Sequence, residues 1–329
     1  MPTTGAEPTL ILRFAALAAA ALALGAGPDP AGVGNAHPPT RAMAVTVDDL
    51  PALPSRDVAE MRRITDGVLA ALRRHQVTAV GFVNENKLEP VGERAERLAL
   101  LRSWLEAGHD LGNHTYSHPD LQRVPLEEYE RDVLRGEPGI RELLAVRGRA
   151  PRWFRHPLTH TGPTREVRGA FEAFLAEHGY AVAPFSIENA DYIFDLLRRK
   201  AAGRGDSATV DRLRAAYVDY TMSVTEQMEA LARETFGREV PQVLLVHANA
   251  TNADALDETL GRLAGRGYRF VTLGEALADE AWRTPDEYVG PRGPSWLFRF
   301  RMAKGLPLRL ELEPDPPKWV LDLYREAQR

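Results

Sequence analysis

Cysteine is absent from all 329 residues. That omission excludes disulfides, thiolate zinc sites, a cysteine nucleophile and an acylated lipoprotein cysteine together. Any metal must be held by nitrogen and oxygen. A basic excess is also lacking: 41 Lys and Arg stand against 46 Asp and Glu, mixed along the chain, for a net charge of −5. Nothing therefore suggests the electrostatic footprint of a nucleic-acid binder. The third absence is a long apolar run. The Ala/Leu-rich stretch from Phe14 to Gly27, which follows Arg13, is shorter than the roughly 20 residues a membrane-crossing helix needs. With the Pro/Gly-rich spacer behind it, residues 1–42 read as an export signal and spacer. This implies a periplasmic or secreted protein with no stable membrane span once the signal is cleaved.

From residue 43 the pattern is regular. Apolar, β-rich runs at 43–48, 77–83, 109–113, 152–155, 179–184, 242–247 and 268–272 alternate with amphipathic stretches at 58–75, 93–107, 126–146, 164–178 and 253–266. Alternation of this kind predicts βα units around a parallel sheet, and 44% hydrophobic residues suffice for its core. Residues 43–282 are read as this domain. Residues 191–240 exceed what a plain crossover needs and form a helical insertion, either one wall of a groove or, as expected here, packing outside. Residues 283–329 change character, with seven prolines among aromatics such as Trp296, Phe298, Phe300 and Trp319. They read as a tail wrapping the domain and ending in a short helix from Pro317 to Ala327.

Chemistry-bearing residues fall at the carboxyl ends of the expected strands: Asp48 and Asp49 after the first, His114 after the third, Arg155 after the fourth, His247 after the sixth. Parallel βα folds build their sites at that end, in barrels and open sheets alike. Two adjacent carboxylates at a sheet rim repel unless a cation or an arginine compensates them. His114 and His118 add two imidazoles four residues apart. Pro119 biases His118 away from helix, so the pair is expected on a tight loop. Alone, such a pair reads as a hydrogen-bonded surface turn; for the Asp pair the solvated turn or helix cap is disfavoured, because Val45-Thr46-Val47 leads straight into it and Leu50-Pro51 closes it.

In order, these residues resemble the motifs of the polysaccharide deacetylases of the NodB-homology type, carbohydrate esterase family four. T-F-D-D appears as Thr46-Val47-Asp48-Asp49, H-S/T-x-x-H as His114-Thr115-Tyr116-Ser117-His118, R-x-P-Y as Arg155-His156-Pro157-Leu158, and L-x-x-H as Leu244-Leu245-Val246-His247. D-x-x-D-W is matched most loosely, by Glu188-Asn189-Ala190-Asp191-Tyr192. The resemblance spans about residues 43–280. It implies a distorted (β/α)7 barrel and a metal-dependent hydrolase that removes acetyl groups from an N-acetylated, or O-acetylated, glycan by attack of a metal-bound water.

By resemblance, Asp49, His114 and His118 hold a divalent metal, with zinc the expected ion. Asp48 is the base and His247 the acid that protonates the departing amine. Arg155 orients Asp48, Asp191 does the same for His247, and the main-chain N–H of Leu158 supports the oxyanion. Leu158 and Tyr192 replace a Tyr and a Trp that line the family's sugar groove. His156 and His160 form a second pair near Arg155, without a carboxylate near in sequence; His156 is read as contacting substrate or as structural. Two other function classes fit part of the pattern. A noncatalytic glycan-binding barrel is disfavoured because Asp48 and His247, needed for turnover, are both present. A two-histidine, one-carboxylate iron oxygenase is disfavoured because such sites usually sit on all-β scaffolds.

Overall fold

The computed structural model describes residues 41–54 and 57–329. The export signal expected in residues 1–42 thus lies almost entirely outside the described residues.

Strand β1 (Arg41–Leu50) is the spine of the molecule. Its residues from Met43 to Leu50 are all buried, which is why this strand reads as a continuous apolar run rather than an alternating one. It pairs in parallel with β2 (Val80–Val83) on one side and β6 (Gln242–His247) on the other. From β2 the sheet continues through β3 (Asp110–Asn113), β4 (Trp153–Phe154) and β5 (Ala181–Val182). β7 (Tyr268–Phe270) pairs only with Arg41, Ala42 and Met43 at the start of β1. Past β5 the chain returns to β6: Ser186 N–H donates to Val243 O at 2.9 Å, and Leu245 N–H to Ile187 O at 2.8 Å. The sheet is thus a curled, distorted barrel of parallel strands.

All seven expected strands are present, but β4 and β5 have two residues each. Proline explains the shortening, because it removes the ladder donor. Pro151 and Pro157 bracket β4, while Pro184 stands just beyond β5.

Helices cover the sheet as the periodicity predicts. α1 (Val58–Arg74) follows β1, and α2 (Arg94–Glu106) follows β2. The expected helix 126–146 is instead two, α3 (Leu126–Arg135) and α4 (Pro138–Ala145), since Pro138 can start a helix but not continue one. The break serves the site: a Cβ on Gly136 would lie 2.6 Å from the carbonyl carbon of Thr115, so the junction packs directly on the His114–His118 loop. α5 (Arg165–Glu177) precedes β5.

The insertion forms α6 (Asp191–Gly203) and α7 (Ser207–Phe236), followed after β6 by α8 (Ala250–Gly265). Phe194 of α6 packs on Tyr217 and Tyr220 of α7. No residue of α7 lines the cavity described below, whereas Tyr192 of α6 lines it and Asp191 bonds His247. α9 (Leu273–Leu277) closes the barrel region. Beyond it, α10 (Trp296–Ala303) and α11 (Lys318–Ala327) belong to the wrapping tail. Trp296, Phe298 and Phe300 are buried, so these aromatics attach the tail rather than face solvent. Among the described residues no helix is long and apolar enough to cross a membrane.

Candidate active site

One cavity of about 430 Å³ opens at the carboxyl ends of the strands, and Asp48, Asp49, His114, His118 and His247 all line it. Local backbone shape brings the first two there together. The pairing of β1 with β2 shifts register between Val47 and Leu50, and Asp49 has φ 70°. A bulge of this kind re-aims consecutive side chains that a regular strand would send to opposite faces. Thr115, His118, Leu158, Thr159 and Ala190 also adopt left-handed backbone conformations. Strained non-glycine residues of this sort concentrate at functional sites.

Asp49, His114 and His118 each offer one ligand atom, and the three atoms lie within 4.8 Å of one another. The tautomer of His114 is fixed: its Nδ1 is 2.8 Å from the Arg155 carbonyl, which can only accept, so Nδ1 carries the proton and Nε2 presents a lone pair. Burial lowers His114 well below the usual imidazole range, with the charges of His118 and Arg155 acting in the same direction. Burial also lowers His118. Asp49 is held ionised: burial opposes this, but Lys87, His118 and His247 outweigh it. Two neutral imidazoles and a carboxylate are a donor set that fits a divalent cation.

Each carboxylate of the Asp pair has its own cation. Arg155, fully buried, donates from Nη1 to Asp48 Oδ2 at 3.2 Å and from Nη2 to Thr46 Oγ1 at 2.9 Å. Lys87 donates to the Asp49 main-chain oxygen at 2.8 Å and to Oδ1 at 3.1 Å. Burial raises Asp48 to about 6, more than the neighbouring Arg155 and His247 lower it. Asp48 is therefore ionised at neutral pH yet can accept a proton.

Opposite stands His247, whose Nε2 lies 4.0 Å from Asp49 Oδ2. Its Nδ1 and its main-chain N–H both meet Asp191, at 2.8 and 2.7 Å. Burial works against the protonated ring, but the charge and hydrogen bond of Asp191, with Asp49 and Asp48 behind, raise it to about 10. Asp191 is not a helix cap; its carboxylate is spent on His247 and on Asn252 Nδ2, at 2.5 Å.

Leu158 and Tyr192 line the cavity and are each about half exposed. Tyr192 meets Tyr324 of α11 edge-on, with ring centroids 6.3 Å apart. His156 also lines the cavity, yet its ring is buried edge-on to Phe154 and Phe171, and among the described residues neither ring nitrogen has a hydrogen-bond partner. The second histidine pair does have a carboxylate after all: His160 Nδ1 is 2.8 Å from Asp120 Oδ1. Asp120 follows His118 by two residues, and only the fold brings it 40 positions along the chain to His160. Sequence reasoning missed Lys87 and Asn252, which belong to no motif, and placed Thr46 in the first motif without its bond to Arg155. It also passed over the cavity-lining role of Glu188, which burial, with Asp191 nearby, raises to about 7.

Two pairs, Asp48–Arg155 and His247–Asp191, thus flank a nitrogen- and oxygen-donor group at a single cavity, an arrangement that could support metal-assisted acid–base chemistry. Residues 35–173 match the model of the family described as polysaccharide deacetylase. It is 26% identical over 238 residues to the peptidoglycan-N-acetylglucosamine deacetylase of Bacillus cereus, covering 70% of this chain and 66% of that one. It is 26% identical over 240 residues to the corresponding deacetylase of Listeria monocytogenes, covering 72% of this chain and 39% of the relative. The chain therefore spans less than two thirds of the length of these relatives. Among solved structures, a mutant of a CE4 family pseudoenzyme of Bacillus anthracis is similar, with a TM-score of 0.50 and 17% identity, covering 74% of this chain and 69% of that one. This last likeness speaks to the fold alone; a shared fold does not carry catalysis.

Proposed function

We propose that this protein is an exported, metal-dependent deacetylase that hydrolyses acetyl groups from an acetylated cell-wall-type glycan, with N-acetylglucosamine units as the substrate class favoured by the names of its relatives. The observation that carries the reading is the placement of Asp48 and His247, each with its own buried partner, around the Asp49, His114 and His118 donors. A divalent metal held there, with zinc expected, supplies Lewis-acid polarisation of the acyl oxygen and lowers the pKa of water.

The residues do the rest. Asp48 takes a proton from the water that attacks the acetamide carbonyl. The Leu158 main-chain N–H supports the negative charge on the former carbonyl oxygen. His247 then gives its proton to the nitrogen as the C–N bond breaks, so that an amine leaves rather than its anion, and acetate remains. Arg155 keeps Asp48 oriented, Asp191 keeps His247 protonated, and Tyr192 and His156 shape the cavity around the sugar.

The test is acetate release from an N-acetylglucosamine tetramer by the full chain and by Asp48→Asn. The variant should retain the metal and lose about 10²–10⁴-fold in turnover, the usual worth of a general base. A variant as active as the parent removes Asp48 from the reaction. A parent that binds metal but releases no acetate from any acetylated glycan favours the noncatalytic glycan-binding reading.

A further inference from the structure

The loop after β4 places two non-glycine residues in succession in the left-handed region, Leu158 at φ 54° and Thr159 at φ 56°. Such a turn is not the intrinsic choice of either side chain, since only glycine adopts it freely. Something outside the loop must hold it. Among the described residues, the hydrogen bonds that reach this turn from outside the loop come from the C-terminal extension.

Arg299 of α10 is fully buried. Its Nη2 donates to the Thr159 carbonyl at 2.8 Å, and its Nη1 to Thr161 Oγ1 at 3.1 Å and to Asp286 Oδ2 at 2.9 Å. Its Nε donates to the Pro294 carbonyl at 2.9 Å, and the guanidinium lies 3.9 Å from the Trp296 ring centroid. All three nitrogens of the rigid fork are thus engaged, two of them with residues 159 and 161, in a geometry a lysine cannot reproduce. From the other side, Thr159 Oγ1 donates to Gly293 O at 2.7 Å. Gly293 itself lines the cavity. A Cβ on it would lie 1.9 Å from Thr159 Oγ1 and 2.4 Å from Leu158 O. The extension is in turn anchored to the barrel wall, where Ser295 Oγ donates to Ser186 O at 2.7 Å and Trp296 N–H to Phe185 O at 3.0 Å.

We infer that Arg299 is a positioning residue for the hydrolysis, holding the Leu158–Thr159 turn in its left-handed shape through the Thr159 carbonyl, with Gly293 as the close-packed backstop. The C-terminal extension is thereby part of the catalytic apparatus and not only a strap. The inference rests on the reading of Leu158 as oxyanion donor. A misplacement of about 1 Å in such a donor is enough to cost roughly 10²-fold in rate.

Three variants of the full chain test it: Arg299→Met, Arg299→Lys and Gly293→Ala. Amide hydrogen exchange should quicken in the peptide covering residues 156–161 in each, at least about tenfold. The kcat for acetate release from an N-acetylglucosamine tetramer should fall about 10- to 100-fold, with KM and metal affinity within about twofold of the parent. Gly293 has no left-handed backbone to lose, so its alanine acts through the clash alone and decides the matter if the buried arginine variants do not fold. Unchanged exchange in the loop overturns the clamp, and faster exchange with undiminished kcat overturns its catalytic role. A parent that releases no acetate sinks the deacetylase reading instead, while the exchange measurement still decides whether the clamp exists.

Discussion

Asp191 holds His247 at two points at once, accepting the main-chain N–H at 2.7 Å and facing the ring Nδ1 at 2.8 Å. The two bonds use different carboxylate oxygens, so the backbone and the imidazole are fixed relative to each other. The ring's other nitrogen, Nε2, is left toward Asp49 and the cavity. A partly buried histidine with this partner stays protonated where burial alone would strip it.

Replacing Asp191 by Asn keeps a side chain of the same shape but removes the charge. Acetate release should drop by about 10²-fold or more, the lower range for loss of a positioned acid, while metal stoichiometry stays that of the parent. Steady-state kinetics beside a metal titration check this; turnover within twofold of the parent would show that His247 needs no such support.

Metal removal should stop turnover without unfolding the protein. Lys87 already compensates Asp49 and Arg155 compensates Asp48, so no buried carboxylate is left uncompensated when the metal leaves. The protein treated with chelator should keep its far- and near-ultraviolet circular dichroism, with a melting point lowered only by the loss of ligand linkage. A collapse of the near-ultraviolet signal on chelation would show instead that the metal is a structural part of the core.

His109 makes stability fall in mild acid. Its Nδ1 accepts the Ala79 N–H at 3.3 Å, its Nε2 is buried without a partner among the described residues, and burial lowers its pKa from 6.5 to about 4. A depressed folded-state value means that the unfolded chain binds the extra proton first. The contribution is therefore complete above about pH 6.5 and is lost as pH falls toward 4, reaching about 2 kcal/mol at pH 5. His156, lowered to about 3 chiefly by burial, adds a loss of the same sign. Urea unfolding at pH 7 and pH 5 should show a smaller pH 7-to-5 loss in His109→Leu than in the parent, by about 2 kcal/mol; an equal loss in both would assign the acid sensitivity elsewhere.

Periodicity was enough to locate the strands, because buried parallel strands need unbroken apolar runs and the surface helices between them need a one-sided stripe. It failed at 126–146, where a helical pattern runs across Gly136 and Pro138: pattern records which face is apolar, whereas proline geometry decides where a helix stops. In the site, the residues that belong to ordered motifs were legible one by one. Lys87, Asn252 and Asp120 were not, since a lysine or an asparagine acquires a role only from what the fold sets beside it.

The sequence by itself determined the parallel αβ architecture, the nitrogen and oxygen character of any metal site, and the set of side chains able to do acid–base chemistry. Only the tertiary structure decided how Asp48 and Asp49 part company. A bulge and a left-handed residue turn both into one cavity, Arg155 from 107 positions away takes the first, and Lys87 takes the second. The physical reason is that charge compensation in a buried site acts through distances of a few ångströms. Those distances are set by chain crossings and not by neighbours in sequence, just as the tail's Arg299 reaches Thr159 across 140 residues.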